Sequence, residues 1–155
     1  MRHRVLILCA TLIFCVSYST RAANRFWRAS AAGNWNNTAN WSNVSGGAGG
    51  FSVPGALDAV TFDGGGLGNC IINQAVNITS INVKAAYTGA ITQGVNTITT
   101  SGVGTFSGGT FSGGTANINI QGVFTLSGTA FISTSAILEL NSNAAFTGGV
   151  FTHNN

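Results

Sequence analysis

Four successive blocks of the chain read AITQGVNTITTSGVGTFSGG (90–109), TFSGGTANINIQGVFTLSGT (110–129), AFISTSAILELNSNAAFTGG (130–149) and VFTHNN (150–155). Without any gap, the same places in each block hold apolar residues or glycine. Those places hold Ile91, Phe111, Phe131 and Phe151; Ile98, Ile118 and Leu138; Phe106, Leu126 and Phe146; and Gly108, Gly128 and Gly148. Residues 70–89 match less closely, and we expect Ile71 and Ile78 to keep the register. Recurrence at a fixed period is the signature of a repeat architecture.

Inside a block, apolar and polar residues alternate in short runs such as 117–120, 124–126 and 138–140. This period of two is typical of β-strands, and paired Gly and Ser residues separate the runs. The sequence therefore predicts an all-β parallel β-helix (solenoid) with rungs of ~20 residues, in which like residues stack at about 4.8 Å. The alternative is a β-sandwich of hairpins, which favours Asn-Gly and Asp-Gly turns. The chain has no Asn-Gly, and its one Asp-Gly is Asp63-Gly64.

Residues 1–22 have the layout of a secretory signal peptide. A positive start (1–4) precedes an apolar run (5–16) and a short polar stretch, with Thr20 and Ala22 at the small-residue places before the cleavage point. The apolar run is too short to span a membrane, which needs roughly 20 residues. We therefore expect export to the medium or the cell surface, cleavage after Ala22 and no transmembrane span.

Charged residues are only 6% of the chain, which leaves little material for chemistry. After removal of 1–22 three cations balance three anions: Arg25, Arg28 and Lys84 against Asp58, Asp63 and Glu139. A neutral chain has no basic patch, so we expect no nucleic-acid partner. Three carboxylates and one cysteine, Cys70, also favour no metal, no cofactor and no enzymatic activity. We interpret Asp63 as a turn residue, Asp58 as a turn or strand-entry residue, and Cys70 as buried.

The repeat region lacks the residues that two further functions would need. A polysaccharide-acting β-helix enzyme needs clustered acids and bases, but Lys84 and Glu139 are the only charges there. An ice-binding array needs threonines that repeat from rung to rung. Thr97 and Thr99 are instead followed one block later by Asn117 and Asn119, and then by Ile137 and Glu139.

All three tryptophans lie in residues 23–68, which we assign to an N-terminal cap region. The pattern there comprises Trp27, Gly33-Asn34-Trp35, Asn40-Trp41-Ser42, Pro54-Gly55, Asp58, Val60, Phe62 and Asp63. It resembles the start of bacterial surface β-solenoid proteins of the autotransporter passenger type, which carry associated β-strand repeats. The resemblance implies a secreted or surface-attached parallel β-helix with the Trp segment covering its first rung. It implies no single activity, because such scaffolds carry adhesive, structural and enzymatic roles.

Trp27, Trp35 and Trp41 have two interpretations. As a cap, the rings cover the open end of the core and their indole N–H groups bond nearby Asn residues. As a carbohydrate-contact platform, exposed rings stack on sugars. We favour the cap and keep the platform as the alternative.

Residues 69–155 form the predicted solenoid repeats, truncated in the fifth rung. Because His153–Asn155 supplies no polar cap, we expect the front part of a longer protein. The alternatives are that the exposed C-terminal edge pairs with another chain, or that the short form aggregates. The predicted function is a non-catalytic structural or adhesion scaffold that meets surface glycans or neighbouring cells. The alternatives are a carbohydrate-binding module that uses the Trp segment and, behind it, a fragment of a polysaccharide-acting enzyme.

Overall fold

The computed structural model describes residues 21–154, which form a parallel β-helix of about 5 turns. Its strands make three sheets. Sheet A contains β1 (Asn24–Trp27), β3 (Trp41–Ser42), β4 (Ala59–Phe62), β7 (Ser80–Val83), β10 (Gly104–Phe106), β13 (Phe124–Leu126) and β16 (Ala144–Phe146). Sheet B contains β2 (Gly33–Asn34), β5 (Cys70–Ile71), β8 (Ala90–Thr92), β11 (Thr110–Ser112), β14 (Ala130–Ile132) and β17 (Val150–Thr152). Sheet C contains β6 (Val76–Ile78), β9 (Ile98–Thr100), β12 (Ile118–Ile120) and β15 (Leu138–Leu140).

One rung consists of one strand from each sheet, taken in the order A, B, C along the chain. Each strand then pairs in parallel with the strand one rung later, so β10 lies between β7 and β13. Among residues 21–154 only β1 and β3 pair antiparallel. The predicted all-β parallel β-helix is therefore confirmed, and the hairpin sandwich is wrong.

The 20-residue register is confirmed from β8 onward. Phe111 pairs with Phe131, and Phe131 pairs with Phe151. The rings stack face to face with centroids 4.6 Å apart in the first pair and 5.8 Å apart in the second. The repeat places thus form a continuous internal column, because side chains at one strand position must point to the same side of each rung.

The register predicted for residues 70–89 is wrong. Ile91 pairs with Cys70 rather than with Ile71, and Ile98 pairs with Val76 rather than with Ile78. Cys70 is buried, whereas Ile71 points outward and is 45% exposed. The turns of this rung hold additional residues, and a shift of one residue in a strand moves every side chain to the opposite face.

The repeated glycines are explained by backbone stacking at the turn between sheets A and B. A Cβ atom on Gly128 would lie 2.4 Å from the carbonyl oxygen of Ser107 in the rung below. Gly108 and Gly148 have the same kind of contact with the rung below, at 2.3 Å and 2.5 Å. A side chain has no room where two backbones approach this closely, so the repeat keeps glycine.

The cap region and the repeats share their sheets, since β4 pairs in parallel with β7 and β2 with β5. A 3-10 helix, Thr38–Asn40, leads into β3, which covers the outer edge of β1. The predicted signal peptide, 1–22, lies outside the described residues except for Arg21 and Ala22. No helix in the described part of the chain has the length and apolar character needed to cross a membrane.

Candidate functional site

The tryptophan cluster closes the N-terminal end of the core. Trp27 ends β1, Trp35 follows β2 and Trp41 begins β3, and all three side chains are 0% exposed. The ring of Trp41 lies edge-on to Trp27 at 5.2 Å and to Trp35 at 4.7 Å between centroids. All three rings pack on Phe62 of the next rung. The three tryptophans therefore form a buried aromatic cluster at the N-terminal end of the core.

The hydrogen-bond partners of the indoles differ from the expectation. Trp27 Nε1 donates to the Gly68 carbonyl at 2.8 Å, and Trp41 Nε1 donates to the Trp35 carbonyl at 2.6 Å. The partners are backbone carbonyls rather than Asn side chains, because the rings point inward, where turn carbonyls lie. Trp35 Nε1 is buried and has no hydrogen-bond partner among residues 21–154.

This burial bears on the carbohydrate interpretation of Trp27, Trp35 and Trp41. A sugar stacks on an exposed ring face, and none of the three rings offers one. Stacking on these residues would require the cap to open and lose the aromatic contacts described above. The geometry therefore gives no support to a platform in the folded cap.

Asp58 and Asp63 occupy turns, as the sequence predicted. Asp63 Oδ1 accepts the Gly65 N–H at 2.8 Å. The Asp58 side chain is 11% exposed, and its carboxylate accepts the N–H groups of Gly55 at 2.9 Å and Ala23 at 3.0 Å. Both carboxylates thus hold local backbone in place.

Arg25 is the cation beside Asp58. Its Nε lies 3.9 Å from Asp58 Oδ2, while its guanidinium donates to the Ser52 carbonyl at 3.1 Å and to Ser52 Oγ at 2.6 Å. Arg25 also donates to the Asn24 carbonyl at 3.3 Å, so its hydrogen bonds go to Ser52 and Asn24 rather than to Asp58. Arg25, Ser52 and Asp58 border a surface cleft of about 470 Å³ at the capped end.

Cys70 is buried, as predicted, and is not poised for reaction. Its side chain is 0% exposed, and burial raises the pKa of the Cys70 thiol. Burial, followed by the nearby Cys70, also raises the pKa of the Tyr87 hydroxyl, which lies 2.9 Å from the Gly68 carbonyl. A protonated thiol inside an apolar core is a poor nucleophile, so both groups are packing residues here.

The outer face of sheet C carries a continuous row of polar side chains. Thr99, Asn119 and Glu139 lie in register on β9, β12 and β15. Asn119 Nδ2 donates to the Glu139 carboxylate, and Asn117 Oδ1 accepts the Ile137 N–H at 3.2 Å. Because Asn119 and Glu139 follow Thr99 in register, threonine is not repeated along this face. These residues border a shallow groove of about 270 Å³.

Gln93 is a structural residue that the sequence analysis missed. Its side chain is 0% exposed: Nε2 donates to the carbonyls of Asn96 at 2.9 Å and Ala116 at 2.8 Å, and Oε1 accepts the Gly114 N–H at 2.9 Å. One amide thus ties two rungs together at the turn between sheets B and C. Nothing in the repeat pattern marked it, because the next blocks have Gly113 and Ser133 at this place.

The C-terminal end of the described solenoid is open. The outer edges of β15, β16 and β17 have no partner strand among residues 21–154. Phe146 is 53% exposed and Phe151 is 38% exposed, although the equivalent residues one rung earlier are buried. An apolar edge of this kind is competent for strand addition.

Within residues 21–154 no three His, Cys, Asp or Glu side chains are close enough to hold a metal ion. Comparisons with protein-family models, curated proteins and solved structures find no match to this chain. What the structure establishes is therefore the β-solenoid itself, with its buried aromatic cap, polar sheet C face and open edge.

Proposed function

We propose that this protein is a secreted or cell-surface β-solenoid that serves as a non-catalytic structural or adhesion scaffold. The observation that carries the proposal is the continuous register of three parallel sheets over about 5 turns. Each rung is joined to the next by backbone hydrogen bonds in all three sheets and by a shared core. Deforming such a coil breaks several of these bonds at once, which is the mechanical property that a stalk requires.

The surface chemistry fits the same role. Outward positions carry hydroxyl and amide side chains, and only 6% of the chain is charged. Such a surface forms many weak, neutral hydrogen bonds, which suits contact with surface glycans or neighbouring cells. The similarity to autotransporter passengers supports export by the signal peptide, 1–22, and display outside the cell.

The stalk proposal is tested by removing one rung. Deletion of 110–129 joins Gly109 to Ala130 and places Phe131 over Ile91 in an unchanged register. We expect a folded protein shorter by about 4.8 Å, measured by small-angle X-ray scattering. Deletion of 110–119 is the control, because removal of half a rung breaks the register and should unfold the chain. A collapsed or unfolded product from the full-rung deletion would contradict the proposal.

The adhesion proposal needs a separate measurement. Bacteria that display the chain should adhere to glycan-coated surfaces or to other cells more strongly than bacteria that lack it. The full-rung deletion should retain adhesion with a shorter reach. A polysaccharide cleaved by the purified protein, with activity lost in Asp58→Asn or Asp63→Asn, would instead establish an enzyme.

A second candidate function, carbohydrate binding, is favoured by one observation, the groove on sheet C. Amide, hydroxyl and carboxylate groups line it in a row, and Ile137, which is 62% exposed, adds an apolar contact. Sugar hydroxyls pair well with such groups. Binding on a glycan array should weaken in Asn119→Ala and stay unchanged in Thr125→Ala, which alters sheet A at the next rung. Equal binding by both variants would exclude this groove.

A further inference from the structure

The backbone hydrogen bonds of the chain differ on the two sides of the predicted signal-peptide cleavage point. Arg21 and Ala22 are exposed and belong to no strand. Ala23 is held at both ends: its N–H donates to Asp58 Oδ1 at 3.0 Å, and its carbonyl accepts the Ala59 N–H at 2.9 Å. Among residues 21–154, the first residue of the predicted mature chain is therefore the first one held by these hydrogen bonds.

We propose that Asp58 is a built-in receptor for the α-ammonium group that cleavage creates on Ala23. Hydrolysis of the Ala22–Ala23 peptide bond by a signal peptidase consumes one water molecule. It leaves the new carboxylate on Ala22 and a protonated amine on Ala23. The hydrogen bond from Ala23 to Asp58 then becomes an ion pair between two opposite charges in the same positions.

The surroundings of Asp58 suit this role. The Asp58 side chain is 11% exposed, and a nearly buried anion is stable only with a charged or strongly hydrogen-bonded partner. Before cleavage Arg25 lies 3.9 Å from the carboxylate, but its hydrogen bonds go to Ser52 and to the Asn24 carbonyl, while Arg21 borders the same cleft. An ammonium at the Ala23 nitrogen adds a directly bonded cation. The bond from the Ala23 amide to the carboxylate is already charge-assisted, and cleavage places a full positive charge on its donor as well.

The consequence is that maturation strengthens the cap. Asp58 also accepts the Gly55 N–H and immediately precedes β4, so the ion pair would join the new N-terminus to the second rung of sheet A. The processed chain should thus have a more stable cap than the precursor.

The role of Asp58 rests on the export that the proposed function assumes. The experiment distinguishes a failure of export from a failure of the contact between Asp58 and Ala23. The protein is expressed with its own leader in a bacterial host and recovered outside the cytoplasm, and its N-terminus is read by mass spectrometry. Lys84→Arg serves as the background, because Lys84 is the only lysine in the chain. The α-amine of Ala23 is then the only amine, and its acetylation by acetic anhydride can be followed directly.

We expect a mature chain that begins at Ala23. Its α-amine should acetylate at least about tenfold more slowly than in the Asp58→Asn variant at neutral pH, because the carboxylate favours the unreactive ammonium. A second variant, with one Gly inserted between Ala22 and Ala23, keeps Asp58 and moves the ammonium away from it; its amine should react as fast as that of Asp58→Asn. Buried Trp emission checks that each variant is folded.

A mature chain that begins at another residue overturns the receptor role, and so do equal acetylation rates in all folded variants. Absence of any processed chain outside the cytoplasm overturns the export as well. Slow acetylation in the parent alone supports the receptor.

Discussion

The aromatic column gives a prediction whose size follows from the structure. Phe131 is 1% exposed and stacks between Phe111 and Phe151, with Phe106 and Phe124 edge-on at 5.0 Å and 5.5 Å between centroids. Phe131→Ala removes a buried ring that neighbours contact on several sides. Truncations of this type reduce the free energy of unfolding by about 3–5 kcal/mol, since they lose both transfer energy and packing.

Phe151→Ala is the matched control at the same place of the next rung. Phe151 is 38% exposed, has a stacked neighbour on one face only, and touches one further ring, Phe146. A partly buried side chain contributes less than the roughly 1.5–3 kcal/mol of a fully buried one, so we expect a loss of about 1 kcal/mol.

Unfolding in guanidinium chloride measures both variants. Far-UV circular dichroism reports on the rungs, and tryptophan emission reports on the cap, because all three tryptophans lie there. The reasoning is refuted if the two variants lose equal stability, or if Phe131→Ala loses less than about 1.5 kcal/mol. Either result would mean that the rings are not stacked as a column.

Three further predictions concern the turns and the buried thiol. Gln93→Ala should lower the free energy of unfolding by about 1–3 kcal/mol, because it leaves a backbone N–H and two carbonyls without their partner. Gln121→Ala, at an exposed site, is the control and should change the free energy of unfolding little in the same denaturant titration. Gly128→Ala should lower the free energy of unfolding by about 1–3 kcal/mol, because the added Cβ forces two backbones apart. Gly55→Ala is the control and should leave stability unchanged, because a Cβ there has no neighbour within 4 Å. Equal thermal midpoints for the two variants would contradict the stacking explanation. Cys70 should resist thiol reagents in the folded protein, and, because burial raises its pKa only in the folded state, the unfolded thiol ionises first. Stability should therefore be unaffected by this group below about pH 8.5 and fall above it by up to about 1.4 kcal/mol per pH unit, with a shallower slope in Cys70→Ala.

The fold and the candidate sites differ in how far the sequence could predict them. Phe111, Phe131 and Phe151 reveal their stacking because a gapless period leaves only one register for equivalent strands. The three tryptophans could be grouped from the sequence because they lie in one segment, but their burial was only one of two interpretations. The partners of the indole N–H groups were not predictable, since they are turn carbonyls supplied by residues as distant as Gly68.

The first full rung shows where a pattern fails. Ile71 and Ile78 looked equivalent to residues of later blocks, yet strand pairing places Cys70 and Val76 there instead. Because the turns of this rung hold additional residues, a constant spacing of 20 assigns Ile71 to the wrong face and places Ile78 two residues out of register.

The amino-acid sequence by itself determined the strand period, the rung length, the glycine at crowded turns and the scarcity of charge. These properties are local or repeat at a fixed interval, so the order of residues along the chain is enough to predict them. Only the tertiary structure decided that Gln93 joins two rungs, that the tryptophans face inward, and that the Ala23 nitrogen lies on Asp58. Each of these depends on two segments far apart in the chain meeting at one point, and coiling of the backbone is what brings them together.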